Sequence, residues 1–303
     1  MALRGARTGA FLLLAGPALA AGRGFTEDPC ASLREAKAAV EAGDLRAAQL
    51  SLESCVAGHP ASAEAWRALG LVRFARQQLD EAATALETSV RLDARQPQAF
   101  KLLGRVQTAR SQPALAERAF VEAARLDDRD AEARYLLGRL YQSQDRLVEA
   151  ARFLGEAAAL DPASVRAHAF LGTVRYALGD TSLAEESFRR AIASNRASRK
   201  PEAVPHLEYG VYLQRTNRLE ESVTELRRAA ELDRSSVDAR FELGRSLYRL
   251  RRPGEAREAL EQALSLDASD PRVHYLLGRV CYDLGDRACG DEHTRLSETH
   301  RGP

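Results

Sequence analysis

Thirteen residues near the end of the sequence, CYDLGDRACGDEH at Cys281–His293, hold two thiols and, in Asp291, Glu292 and His293, two carboxylates beside an imidazole. These residue types can coordinate zinc. The spacing of Cys281, Cys289 and His293 matches no zinc pattern, so no metal and no cofactor is expected here. Nucleophilic catalysis needs a Ser, Cys or Thr beside a base that is itself oriented by a third group. No Ser-His-Asp or Cys-His arrangement is motivated by these histidines: His168, His206 and His274 recur at one register, His59 falls in a loop and His300 near the end. No glycine-rich phosphate loop occurs, because every Leu-Gly glycine falls inside a helical pattern. The acid pairs Asp80-Glu81 and Glu220-Glu221 stand at helix starts, where negative charge offsets the helix dipole. An enzyme is not expected.

The elements carrying these residues recur. Gly70, Gly104, Gly138 and Gly172 are 34 residues apart, as are Gly210, Gly244 and Gly278, with a four-residue insertion near Arg199–Glu202. Counting back from Gly70 reaches Ala36, which gives eight starts near residues 29, 63, 97, 131, 165, 203, 237 and 271. Each unit reads as two helices joined by a turn such as EAGD, ALGD, RTNR or RRPG. Most units close on Leu-Asp, as at Leu92-Asp93 and Leu126-Asp127. Ser62, Asp130, Ser164, Ser236 and Asp270 stand where the next helix needs an N-cap. No strand pattern competes.

Counted from Ala63, Trp66 is at position 4, Leu69 and Gly70 at 7 and 8, Ala82 at 20, Leu86 at 24 and Ser89 at 27. Position 20 is Ala in Ala48, Ala82, Ala116, Ala150, Ala184 and Ala256, and Ser in Ser222. Position 27 is Cys55, Ser89, Ala123, Ala157, Ala191, Ala229 and Ala263. Small residues are required where two helices touch most closely. Length and positions together resemble the tetratricopeptide repeat (TPR) over roughly residues 29–290. The first unit departs from the pattern, with Ser32 at position 4, and proline at position 32 appears only as Pro60 and Pro162. The resemblance implies an all-α fold: a right-handed superhelical solenoid of antiparallel helix hairpins, with a concave face made mainly by each first helix. His168, His206 and His274 share position 4 with Trp66 and Phe100, which reads as packing.

Residues 1–20 differ from this pattern. MALRGAR carries two arginines and no acid, AFLLLAGPALA is a short apolar core, and Ala18–Ala20 offers a small-x-small cleavage site. That is the layout of a secretory signal peptide, and the apolar run is too short for a bilayer span. Cleavage would remove Arg4 and Arg7 and take the formal charge from +1 to −1. A near-neutral chain gives no reason to expect nucleic acid. The chain is therefore expected to be exported, periplasmic or secreted, without a stable membrane span when mature. Residues 21–28 form a short leading segment, 29–202 the first five units with the inserted loop, 203–290 the last three (the final one partial), and 291–303 a tail.

Behind a leader, an even number of cysteines paired at both ends of the array reads as two disulfides. Cys30 and Cys55 lie at the start and end of the first hairpin, and Cys281 and Cys289 flank the turn of the last. The other reading is buried free thiols, above all for Cys55, which replaces a small packing residue.

The TPR resemblance places groove residues at positions 2, 5, 9, 12 and 13 of each first helix. Position 9 holds Arg105, Arg139, Arg245 and Arg279; position 5 holds Arg67, Lys101, Tyr135, Phe241 and Tyr275; position 12 holds Phe74, Tyr176, Tyr248 and Tyr282. Only three of the 44 basic residues are lysines, so arginine is common throughout. Positions 5 and 9 share a helix face, setting a ring beside a guanidinium in Tyr135/Arg139, Phe241/Arg245 and Tyr275/Arg279. Arginine offers a planar fork to carboxylates, and rings give contact area at small entropic cost. The expected function is protein–protein interaction: a scaffold holding an extended or helical partner segment, acidic or with a free C-terminus, in assembly of an envelope, secretion or pilus complex. The alternative is a module binding polysaccharide or peptidoglycan in the same groove. Position 9 carries no Asn, which argues against the carboxylate clamp of TPR co-chaperones. Two disulfides predict that mass spectrometry of the native mature protein finds no alkylatable thiol before reduction and four after it; four thiols before reduction would remove both bonds.

Overall fold

The computed structural model describes residues 31–300. The expected leader, the segment at 21–28 and Cys30 lie outside the described residues. The chain divides into two compact units, residues 1–144 and 145–303. The boundary therefore falls in the turn of the fourth repeat and not at the insertion. All described regular structure is helical. Among the described residues no helix is long and apolar enough to cross a membrane.

The first unit holds α1 (Ala31–Glu41), α2 (Leu45–Gly58), α3 (Ala63–Ala75), α4 (Leu79–Leu92), α5 (Pro97–Ala109), α6 (Pro113–Leu126) and α7 (Ala131–Ser143). The second holds α8 (Leu147–Leu160), α9 (Val165–Ala177), α10 (Thr181–Ala197), α11 (Val204–Arg215), α12 (Leu219–Leu232), α13 (Val237–Arg249), α14 (Pro253–Leu266), α15 (Pro271–Asp283) and α16 (Arg287–Thr299). Within each unit, short connections make sequential helices antiparallel neighbours. Within each unit the first helices of successive repeats also touch, α3 to α5 to α7 and α9 to α11 to α13 to α15.

Local chemistry sets each boundary. Ser62, Asp130, Ser164 and Ser236 accept the N–H of Ala65, Ala133, Ala167 and Ala239, and Asp270 accepts that of Arg272. The Asp of each Leu-Asp pair ends the second helix and accepts the N–H two residues on, as Asp93 does from Arg95 and Asp267 from Ser269. Position 15 of every repeat turns the chain through a left-handed residue: Gly43, Gly179 and Gly285, but also Gln77, Ser111, Asp145, Asn217 and Arg251. Glycine adopts this conformation freely and the others carry strain.

The hairpin contact is close. A Cβ on Gly104 would lie 2.4 Å from the Phe120 ring, and one on Gly70 2.6 Å from Leu86. The small residues at positions 20 and 27 are fully or almost fully buried in every repeat where the register places them. At position 4, three residues reach a carbonyl six residues back: Trp66 Nε1 donates to Pro60 O at 2.9 Å, and Nε2 of His168 and His274 contact the carbonyls of Pro162 and Ala268 at 3.1 and 3.0 Å.

The insertion is ordered by one side chain. α10 runs 17 residues against 14 for α12 and α14. Buried Asn195 donates to Glu202 O and accepts the Glu202 N–H, both at 2.8 Å. The segment expected as a tail at 291–303 is helical as far as Thr299, so the last repeat is a complete hairpin. Cys281 and Cys289 are bonded across it, with their Cα atoms 5.8 Å apart. Cys55 is disulfide-bonded and buried, and its expected partner Cys30 lies outside the described residues.

Gly104→Ala is expected to lower stability by about 1–3 kcal/mol, because the confined Phe120 ring must move. Gly155→Ala, where an added Cβ meets nothing within 4 Å, is expected to stabilise by about 0.5–1 kcal/mol. Urea unfolding followed by circular dichroism measures both.

Candidate functional site

The first helices α13 and α15 carry the same pattern, FxxxRxxY and YxxxRxxY. One helical turn separates positions 5, 9 and 12, so each helix projects a ring, a guanidinium and a second ring from one face. Side by side, the two helices enclose an open cavity of about 520 Å³ lined by Phe241, Arg245, Tyr248, Arg249, Pro271, Arg272, Tyr275, Leu276 and Arg279. Five of the expected groove residues thus meet in one place.

Their stacking differs from the expected order. The sequence pairs each ring with the arginine one turn along its own helix. In the structure the close ring–guanidinium pairs cross between helices: Arg279 lies 5.4 Å from the Tyr248 ring centre, and Arg272 5.1 Å from that of Phe241. A guanidinium over a ring is attracted to the π face and keeps its N–H edge available. Arg272 also pairs with Asp238 at 2.8 Å and Asp270 at 2.7 Å. Arg245 Nε donates to Gln214 Oε1 at 2.7 Å, its Nη2 reaches the same oxygen, and Glu242 lies 3.2 Å away. Arg249 donates to the Gln214 carbonyl at 2.6 Å and to Asn217 Oδ1 at 3.0 Å. Among the described residues neither Arg249 nor Arg279 makes an ion pair, whereas Tyr275 stands 47% exposed. The cavity is therefore a ring-floored site lined by four arginines, with Asp238, Glu242, Asp270 and Asp283 at its margins and no carboxylate in ion-pair contact with Arg249 or Arg279 among the described residues.

The other expected groove residues take different places. Lys101 is a correction: it is 5% exposed, and its ammonium lies 2.7 Å from both Asp130 and Glu132. Burial alone would lower its pKa, but the two carboxylates hold it above the usual lysine value. Its charge is consumed inside the fold. Tyr176 packs edge-on against Tyr212 at 5.3 Å in a cluster with Phe188 and Tyr209. Tyr282 turns to α16, where its hydroxyl donates to Asp291 at 2.6 Å and its ring covers Gly290. Phe241 is buried and shared with the core. Arg67 lies 3.8 Å from Glu64, Arg105 is half-buried, and Tyr135 and Arg139 are half-buried and engaged within the chain.

Reading by residue type missed Arg249 and Arg272. Their signal was the register, since they stand at positions 13 and 2. Gln214 and Glu242 carried no such signal. Burial pushes the Glu242 carboxyl above its ordinary value of 4.5, against the opposing pull of Arg245 and the Gln214 hydrogen bond. With a folded pKa above the unfolded one, its contribution to stability is present below pH 4.5 and is lost as pH rises through the folded value. Glu242→Gln is therefore expected to raise the urea midpoint at pH 7 and to lose that advantage below pH 4.5; an equal or lower midpoint at pH 7 would contradict it.

The TPR profile matches residues 33–99, 101–165, 171–237, 207–271 and 241–288. No curated protein matches. Among solved structures, a chain of the APC/C hetero-tetramer Cut9–Hcn1 is similar over 78% of this chain at 19% identity and TM-score 0.67, and this chain spans 48% of it. A tetratricopeptide repeat protein from Parabacteroides merdae is similar over 82% of this chain and 97% of its own, at 15% identity and TM-score 0.67. PilF of Pseudomonas aeruginosa is similar over 81% and 95%, at 19% identity and TM-score 0.52. At these identities the likeness concerns the fold. Because the profile covers most of the sequence at the register the glycines mark, this chain belongs to the tetratricopeptide repeat family.

Proposed function

We propose that the chain is an exported scaffold that holds an acidic segment of a partner protein in the cavity between α13 and α15. The family supports protein–protein interaction as the activity. The observation that carries the choice of site is the gathering of four arginines and three rings around one open cavity, with Arg249 and Arg279 lacking any carboxylate partner among the described residues. Elsewhere on the chain, arginines such as Arg190 and Arg257 lie 2.6 and 2.7 Å from a glutamate one turn away. Such exposed pairs contribute little to stability and leave little net field. In the cavity Arg279 lies over the Tyr248 ring and makes no ion pair among the described residues, so a side-chain carboxylate or a free C-terminus can take its guanidinium in a charge-assisted contact. Exposed Tyr275 adds rigid apolar area for the neighbouring residues of the segment.

Export is supported by the leader-like layout of the first twenty residues and by the bond between Cys281 and Cys289, which is stable in an oxidising compartment.

The test is affinity capture from a cell-envelope extract, followed by titration of the captured partner's acidic peptide into the purified chain. Arg279→Glu is expected to weaken that peptide at least about tenfold and to flatten its salt dependence. Unchanged affinity and salt dependence in Arg279→Glu would move the binding site elsewhere.

A further inference from the structure

The arginines of the cavity are held from behind by a residue that does not line it. Gln214, on α11, is 1% exposed. Its side-chain oxygen accepts both Nε and Nη2 of Arg245, and its main-chain oxygen accepts Nη1 of Arg249. Its amide nitrogen donates to Ser246 Oγ at 2.8 Å and faces Glu242 Oε2 at 3.3 Å. The amide orientation is fixed by this surround, because a guanidinium only donates and a carboxylate only accepts. From Ser246 the chain of bonds continues to Ser222 Oγ at 2.9 Å and ends on the Gly210 carbonyl at 2.8 Å.

This network sits where the repeat pattern is broken. Position 10 is Ala38, Val72, Val106, Leu140, Val174, Tyr212 and Val280 in the other repeats, and serine only as Ser246. Position 20 is alanine in six repeats and polar only as Ser222. Both departures fall on the path that satisfies Gln214. A solenoid gains nothing from replacing buried Val and Ala by serines, which must then find partners. They are accounted for if the object held in place is the amide, and through it Arg245.

We infer that Gln214 is the positioning residue of the binding cavity, fixing Arg245 and Arg249 from behind so that their unused N–H groups define where a ligand carboxylate is bound. The inference rests on the cavity being the binding site. Without this acceptor, Arg245 is left with Glu242 as its near partner. It then turns toward that carboxylate, and the ligand loses one arm of its contact.

The probe is fluorescein-labelled hexaglutamate with a free C-terminus, titrated into the full chain at fixed ionic strength, with Arg279→Glu as the control on the site. Gln214→Met keeps the side chain's volume and removes every hydrogen bond of its amide. It is expected to weaken the probe at least about tenfold, as loss of a charge-assisted contact does. The double variant Gln214→Glu/Glu242→Gln exchanges amide and carboxylate and restores an acceptor for Arg245. It is expected to recover affinity to within about threefold, a rescue that a merely structural role for Gln214 would not produce. The Arg245 Nε–H resonance is expected to shift in Gln214→Met and to return toward its original position in the exchange variant. If Arg279→Glu abolishes binding while Gln214→Met binds normally, the inference fails and the cavity reading stands. Weakening in Gln214→Met without rescue in the folded double variant also overturns it. If the intact chain does not bind the probe, or Arg279→Glu binds it equally, the cavity reading fails and takes the inference with it.

Discussion

The structure depends on how closely two helices of a hairpin can approach. At Gly70, Gly104, Gly172, Gly210 and Gly244 the second helix presses a Leu or Phe side chain into the space a Cβ would occupy. Alanine or serine at positions 20 and 27 extends that contact along the helix pair. With the separation set, positions 5 and 9 of each first helix share one face of that helix. Hydrophobic burial supplies the driving force, but it is the small residues that give it direction. A repeat array turns this into near-neighbour stability, each hairpin completing the core of the next.

Charge is handled in two ways on this scaffold. Arginines such as Arg125, Arg190 and Arg257 lie on exposed helix faces beside glutamates three or four residues away, an arrangement that keeps a protein soluble and adds little to its stability. Lys101 is the opposite case, a cation taken out of water and balanced by two carboxylates of the next repeat. Removing either partner would expose how much such a pair depends on complete compensation. The cavity between α13 and α15 is intermediate. Arg245 and Arg272 meet carboxylates there, whereas Arg279 rests on an aromatic face and Arg249 on a main-chain oxygen, which orient a guanidinium without cancelling its charge.

The fold was legible because its determinants are local and periodic. Gly, Ala and Ser recur at fixed spacing, and the N-caps Ser62, Asp130, Ser164, Ser236 and Asp270 each stand at the helix start their chemistry requires. The last helix does not show in the repeat pattern because its sequence, with Cys289, Gly290 and a run of polar residues, lacks the repeat's apolar signature. Terminal hairpins have one open face and tolerate that composition. The site was half legible. Register alone brings Phe241, Arg245, Tyr248, Tyr275 and Arg279 together. It does not say whether a residue at a groove position still faces solvent. Tyr282 stays exposed but is tied to Asp291 on the next helix, whereas Lys101 and Tyr176 share the register and are used inside the fold, because each found partners on neighbouring helices, an acid pair and an aromatic cluster. Such pairings are long-range in sequence, and no local pattern announces them.

The same distinction explains where a repeat protein can hold a specific function. Most positions answer to the neighbouring hairpin and are interchangeable between repeats, so departures from the common pattern mark places under another constraint. Ser222 and Ser246 are two such departures, and each is weaker as packing than the Ala or Val it replaces. Glu242 adds a further cost, because its burial opposes its own ionisation. Three unfavourable choices around one buried amide do not improve the hairpins they belong to. They make sense together as the polar seat of two arginines, in which stability given up locally fixes the direction of charges that face outward. The cavity and the network behind it are then one device, with its working groups on α13 and α15 and its alignment set from α11 and α12.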